Sequence, residues 1–299
     1  MGVNRSIIAS LIMAFGLCTG AMADGVADGD ALRERYDPDL QEGLETTLQH
    51  LSLDDDAARE KLCVTVVDIT NLHEPRVAEV NGDHMMYAAS MPKIAILLGA
   101  FVEAERGRLT LDQTNIESMT RMIRVSSNSD ATRMLNLVGK RRVNRILQSE
   151  KYRLYDPAVN GGLWVGKEYA QGVAFERDPL HNLSHGATAM QTARFYYMLE
   201  AGELVNPKLT RLMKSMLSEP GIKHKFVKGL ADMPGVKIYR KSGSWQHWHA
   251  DSALIEAEGR KYILVALADD SRGGDWLAAL APEVHRLIVP TRLAAAPAR

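Results

Sequence analysis

Cysteine is nearly absent from this 299-residue chain: only Cys18 and Cys63 occur, so no disulfide framework can hold the fold together. An excess of either charge is missing too. With 36 Lys and Arg against 37 Asp and Glu the net charge is -1, so nothing in the composition points to a polyanion such as nucleic acid as partner. Long apolar runs are also lacking; the longest near the N-terminus covers 7–17, short of the ~20 residues that cross a bilayer. There is no internal repeat, low-complexity tract or linker. What is present is an ordinary globular composition, 46% hydrophobic, on a chain long enough for one large domain or two lobes around a cleft.

The short apolar run has a use as an export signal. Arg5 precedes it and Ala21-Met22-Ala23 supplies a small-x-small cleavage pattern, so a signal peptide over 1–23 and a mature domain over 24–299 are expected, with a periplasmic location. Lipidation at Cys18 is the lesser alternative, because Phe15-Gly16-Leu17 lacks the small residues expected before a lipidated cysteine. Removal of the signal leaves Cys63 alone in the apolar run 62–67, where it reads as a small buried hydrophobe.

Periodicity predicts a first amphipathic helix at 39–51, strands at 62–70 and 76–80, and a helix at 91–107 with Ser90 near its cap. More helices are expected at 111–124, 130–138, 140–151, 188–201 and 207–217, then strands at 236–241, 249–256 and 261–268 and a closing helix at 276–288. Residues 155–184, rich in glycine, proline and polar side chains, read as a long loop region. Strands at both ends with helices between them suggest an α/β (α+β) two-lobed fold: one antiparallel sheet built from the two chain ends, flanked by helices, with an inserted helical lobe.

Three short motifs stand in order: S-x-x-K at Ser90 and Lys93, S-x-N at Ser126 and Asn128, and K-S-G at Lys241, Ser242 and Gly243. Each alone is weak. A serine three residues ahead of a lysine is expected roughly once by chance in a chain of this size, Ser126 to Asn128 suits a helix cap, and K-S-G suits a strand end running into a turn. Together they describe acyl-transfer chemistry. On a helix, residues three apart share a face, so Lys93 can stand beside the Ser90 hydroxyl as its base. Burial and a second cation, which Lys241 supplies, both favour the neutral amine that a base requires. Backbone N–H groups of Ser90 and Ser244 can form an oxyanion hole, in which one donor is worth about 3 kcal/mol of transition-state stabilisation.

With these motifs the chain resembles the class A β-lactamase branch of the penicillin-recognising serine enzymes over essentially its whole mature length. The strand leading to Tyr87-Ala88-Ala89-Ser90, and the K-S-G strand followed by a hairpin and closing helix, are similar to that family as well. The resemblance implies a cofactor-independent serine hydrolase that opens β-lactam amides through an acyl-Ser90 intermediate. It implies Lys93 as base, Ser126 as proton donor to the departing nitrogen, Asn128 as reader of the acyl side chain, and Lys241 with Ser242 as the grip on the substrate carboxylate. The implied partner is a β-lactam or a peptidoglycan-type peptide, with no nucleic acid and no stable membrane insertion after signal cleavage.

The chain departs from the family in three places. The interval from Ser90 to Ser126 is short, and Trp245 follows the strand turn where the family tends to a small residue. The family's E-x-x-L-N element, whose glutamate activates the deacylating water, has no match in 155–184; Glu168 is nearest by position, with Glu176 behind it. A chain without that base fits the alternative of a D-Ala-D-Ala carboxypeptidase, penicillin-binding protein, sensor or esterase that acylates but clears lactams poorly. A lesser alternative is a zinc hydrolase, because His247, His249 and Asp251 match H-x-H-x-D, with His285 the only histidine further downstream.

Overall fold

The computed structural model describes residues 29–289; the expected signal segment lies outside them. In chain order the elements are α1 (Pro38–His50), α2 (Asp54–Ala58), β1 (Leu62–Asp68), β2 (Arg76–Val80), β3 (Met86–Tyr87), α3 (Lys93–Glu105), α4 (Gln113–Arg124), α5 (Asn128–Val138) and α6 (Lys140–Leu147). After them come the short strands β4 (Tyr155–Asp156), β5 (Gly161–Gly162), β6 (Trp164–Val165) and β7 (His185–Ala187). The chain closes with α7 (Ala189–Ala201), α8 (Pro207–Leu217), α9 (Phe226–Gly229), β8 (Lys237–Trp245), β9 (Trp248–Ala257), β10 (Arg260–Asp269) and α10 (Gly273–Ile288).

The five-stranded sheet has the order β2-β1-β10-β9-β8, and β1 pairs antiparallel with β10 from Leu62↔Ala268 to Asp68↔Tyr262, so the two chain ends do build one sheet. Strand alternation divides the core. Leu62, Val64 and Val66 face one cluster with Leu40, Leu44 and Leu48 of α1 and Leu277, Leu280 and Val284 of α10. Cys63 and Val67 face the other cluster, shared with α3, α7 and the helical lobe. Cys63 is fully buried and its thiol is pushed well up by burial, as suits a core residue.

Local chemistry explains the helix starts. Asp37 caps α1 by accepting from the Leu40 amide at 2.8 Å, with Pro38 in the first turn. Asp112, Thr188 and Asn206 do the same for α4, α7 and α8. Helix α3 is apolar on every side and runs through the middle of the molecule, so its first residue, Lys93, is carried into the interior.

Three expectations change. Ser90 is not helical: α3 begins at Lys93 with Pro92 at its cap, because proline has no N–H to lose there. β8 continues past 241 to Trp245, so the K-S-G triplet lies inside a strand; hairpin pairing with β9 around the Gln246-His247 turn extends the ladder. The 155–184 segment is partly ordered by β4, β5 and β6, of which β6 joins β7 and β3 in a small second sheet. Among the described residues no helix is long and apolar enough to cross a membrane.

Candidate active site

Ser90 sits on the turn between β3 and α3, after Ala89, whose φ of 49° is unusual for a residue other than glycine. The Met91 amide donates to Ala88 O at 3.0 Å, which tightens this turn. Gly243 packs directly against it: a Cβ there would lie 2.2 Å from Ala88 O and 2.8 Å from Ser90 N. Only glycine lets β8 approach the Ser90 turn this closely. Ser90, Asn128 and Ser244 line a cleft of about 690 Å³ with Tyr87, Tyr169 and Trp248.

Below that cleft lies a chain of polar contacts. Lys93 Nζ, on a fully buried side chain, donates to Ser126 O at 2.6 Å, Ser126 Oγ at 3.2 Å and Asn128 Oδ1 at 2.7 Å. Lys241 Nζ donates to the same Ser126 Oγ at 3.0 Å and to Ser242 O at 2.6 Å. One serine hydroxyl therefore bridges two buried lysines. Burial pulls the Lys93 amine down to about 7. Lys241 is held well below the usual lysine value, by burial first and then by the charge of Lys93. Two charges across one serine hydroxyl repel, which favours loss of a proton from one amine; a neutral Lys93 keeps two donor contacts and turns its lone pair to the Ser126 hydroxyl.

The turn before α5 frees Ser126 for this work. Ser127, not Ser126, caps the helix, its Oγ accepting from Asp130 N at 3.2 Å, while Ser126 adopts a φ of 58°. Lys93 finds its partners in Ser126 and Asn128 instead of the Ser90 hydroxyl that helical spacing predicted, since Ser90 stands outside the helix. Ser242 is buried on β8 opposite Asp251.

Tyr169 was not singled out by the sequence, and no spacing signal points to it. Its ring covers Lys93, with Nζ 4.5 Å from the ring centroid, and stacks on His185 at 4.3 Å with an interplanar angle of 5°. Its hydroxyl donates to Ala89 O at 3.3 Å. His185 is kept neutral, with burial first and then Lys93 lowering it to about 3.

The two glutamates considered as deacylating bases are engaged elsewhere. Glu168 reaches the cleft wall, but its carboxylate pairs with Lys140 at 2.6 Å and accepts from Asn136 at 3.2 Å, and these contacts hold it below the usual glutamate value. Glu176 accepts from Asn144 at 3.1 Å and lies 3.5 Å from Arg141. Trp245 is 59% exposed on the cleft rim, so it walls the opening and does not pack between lobes.

The H-x-H-x-D residues diverge. His247 sits in the hairpin turn 3.1 Å from Asp269, His249 lies under the start of α10 against Gly273, and buried Asp251 grips Arg240 through both oxygens at 2.7 Å. His285, on α10, meets the Tyr262 hydroxyl at 3.0 Å and is engaged there. The zinc reading is corrected on this geometry: His247 leaves the strand in the turn, and His249 and Asp251, although two apart on one face of β9, are taken up by α10 and by Arg240, so the three do not converge on one ion. Among the described residues no three His, Cys, Asp or Glu side chains cluster closely enough to hold one.

The beta-lactamase enzyme family matches residues 44–118 and 114–288. The chain belongs to that family. No curated protein sequence matches it. Among solved structures it is similar to PBP-A (16% identity, TM-score 0.63, covering 85% of this chain and 97% of that one). It is similar to a β-lactamase from Sphaerobacter thermophilus DSM 20745 (15%, TM-score 0.63, 83% and 98%). It is also similar to a class A β-lactamase representing the last common ancestor of Gram-negative bacteria (17%, TM-score 0.62, 83% and 98%). At these identities the likeness is one of fold. The two-lobed architecture is the β-lactamase one, and membership makes this protein a hydrolase of the β-lactamase and penicillin-binding type.

Proposed function

We propose that this β-lactamase-family protein opens an amide bond next to a free carboxylate, in a β-lactam or a peptidoglycan-type peptide, through an acyl-Ser90 intermediate that it releases slowly. The observation that carries the reading is the Ser126 hydroxyl bonded to both Lys93 and Lys241. Ser90 Oγ attacks the carbonyl carbon and gives its proton to the neutral Lys93 amine, which turns from Asn128 toward Ser90 to receive it. Lys93 returns that proton to Ser126, which protonates the amide nitrogen as the C–N bond breaks. Atoms balance: the serine proton ends on the amine and the acyl group on Ser90. Asn128 reads the acyl side chain from the cleft wall, and Lys241 with Ser242 receives the substrate carboxylate. With Lys93 neutral, Lys225, Arg240 and Lys241 against the single carboxylate Asp251 make the cleft floor attractive to an anion. The export-signal pattern in the sequence over 1–23 supports action in the periplasm.

Slow release rests on Glu168 and Tyr169. A deacylating water needs a base, yet Glu168 is tied to Lys140 and the Tyr169 ring closes the open side of Lys93. A PBP-A variant is itself known as a penicillin G acyl-enzyme, so this fold accommodates such an adduct.

Benzylpenicillin incubated with the mature protein, followed by intact mass and free drug together, tests the reading. A persistent adduct of one whole drug mass, absent in Ser90→Ala, is expected. Steady drug loss without adduct overturns slow release, and neither adduct nor loss overturns the whole assignment. Replacing Tyr169 by alanine opens Lys93 to water and is expected to shorten the adduct lifetime by about tenfold or more, a small share of what general-base catalysis supplies. An unchanged lifetime removes Tyr169 from deacylation.

A further inference from the structure

Lys225 belongs to none of the motifs, yet it is a nearly buried cation directly behind the cleft, 3% exposed. It immediately precedes α9 in a left-handed conformation, φ 52°, that a residue other than glycine keeps only when its surroundings demand it. Its three ammonium protons have three acceptors: Gly243 O, Ser244 Oγ at 2.8 Å and Ala250 O at 3.0 Å. Two of these belong to adjacent residues of β8, joined by one peptide bond.

That peptide faces two ways. Trp245↔Trp248 closes the two-residue turn, so antiparallel alternation makes Gly243↔Ala250 a hydrogen-bonded pair and Ser244↔His249 a non-bonded one. Gly243 O therefore points toward β9 and Lys225. A trans peptide sends its N–H in the opposite direction, so the Ser244 N–H leaves the sheet at its free edge, where β8 is the last strand and Ser244 lines the cleft.

We propose that Lys225 is a positioning residue that polarises the Gly243–Ser244 peptide and so strengthens the Ser244 N–H as an oxyanion donor. A cation on the carbonyl oxygen draws electron density through the amide and leaves the N–H a stronger donor, as in any chain of coupled hydrogen bonds. The contact with Ser244 Oγ holds the same residue in place. Lys225 touches no substrate in this scheme; its charge reaches the reacting carbonyl through one planar peptide. The inference rests on the acyl-Ser90 reading above.

Infrared difference spectra of the acyl-enzyme, with the ester carbonyl ¹³C-labelled, read donor strength directly, because stronger hydrogen bonds lower the C=O stretch. In the wild type the stretch is expected below that of the same ester in water. In Lys225→Met it is expected to rise toward that value, with acylation slowed about tenfold, less than the loss of a whole donor, at an unchanged initial binding constant. Lys225→Arg, which keeps the charge, restores part of both. Melting curves show whether each variant is folded. A wild-type stretch equal to the free ester overturns the inference without any variant, and so does a folded Lys225→Met with unshifted stretch and rate. Failure of the wild type to acylate at all is a different result, which overturns the function itself.

Discussion

Replacing Lys93 by methionine lowers the rate of Ser90 acylation by about 10³-fold, in the middle of the range that a positioned general base supplies. Methionine fills a similar volume in a fully buried site, so the loss is chemical. The same lysine sets the acid limb of the wild-type profile. A base works only unprotonated, and burial brings Lys93 to about 7. The neutral fraction is thus near its maximum above pH 7 and falls tenfold with each unit below it. Acylation should rise with pH up to about 7 and then level. Stopped-flow measurement of adduct formation across neutrality checks both points. A Lys93→Met enzyme within tenfold of wild type sinks the assignment; a variant that is slow but keeps the same acid limb transfers the titration to Lys241, the other amine on Ser126.

Cutting Asp251 to alanine destabilises the protein by about 3–5 kcal/mol, the usual cost of stranding one member of a buried ion pair. Arg240 and Asp251 are 2% and 0% exposed at their side chains, and they meet through two 2.7 Å bonds. Arg240 also donates to Ile222 O at 2.7 Å and His224 O at 3.2 Å, while Asp251 accepts from Phe226 N at 3.1 Å and Ser252 N at 3.0 Å. The pair ties β8 and β9 to the segment that carries Lys225. Its loss therefore leaves Arg240 charged without a counterion next to Lys241. Urea unfolding reads the effect. A midpoint shift worth less than 1 kcal/mol contradicts it, whereas Arg240→Met with Asp251→Leu should recover part of the lost stability, since Arg240 is then not stranded, although Lys225 still loses Asp251 as its neighbouring carboxylate.

Much of this architecture was legible as periodicity. The stripe Leu40, Leu44 and Leu48 marks α1, and the β-branched run from Leu62 marks β1, because each pattern matches a face that the core must cover. The short strands between 155 and 187 were not legible. They are two or three residues long, and backbone pairing orders them more than any side-chain pattern does. At the site, S-x-x-K, S-x-N and K-S-G located the serines and lysines. Spacing alone misjudged which of them touch: Ser90 stands outside the helix, so Lys93 turns to Ser126 and Asn128.

By itself the sequence determined the family, the sheet made from both chain ends and the three motifs that hold Ser90, Ser126 and the two lysines, because those depend on residue type and local period. Tertiary structure alone decided that Tyr169 covers Lys93, that Glu168 belongs to Lys140, that Asp251 serves Arg240 instead of a metal, and that Lys225 stands behind Ser244. Most of these contacts join residues far apart in the chain, and each side chain had several charged or aromatic partners within its reach. Which one it met was set by how helices and strands pack in three dimensions, and no local pattern records that choice.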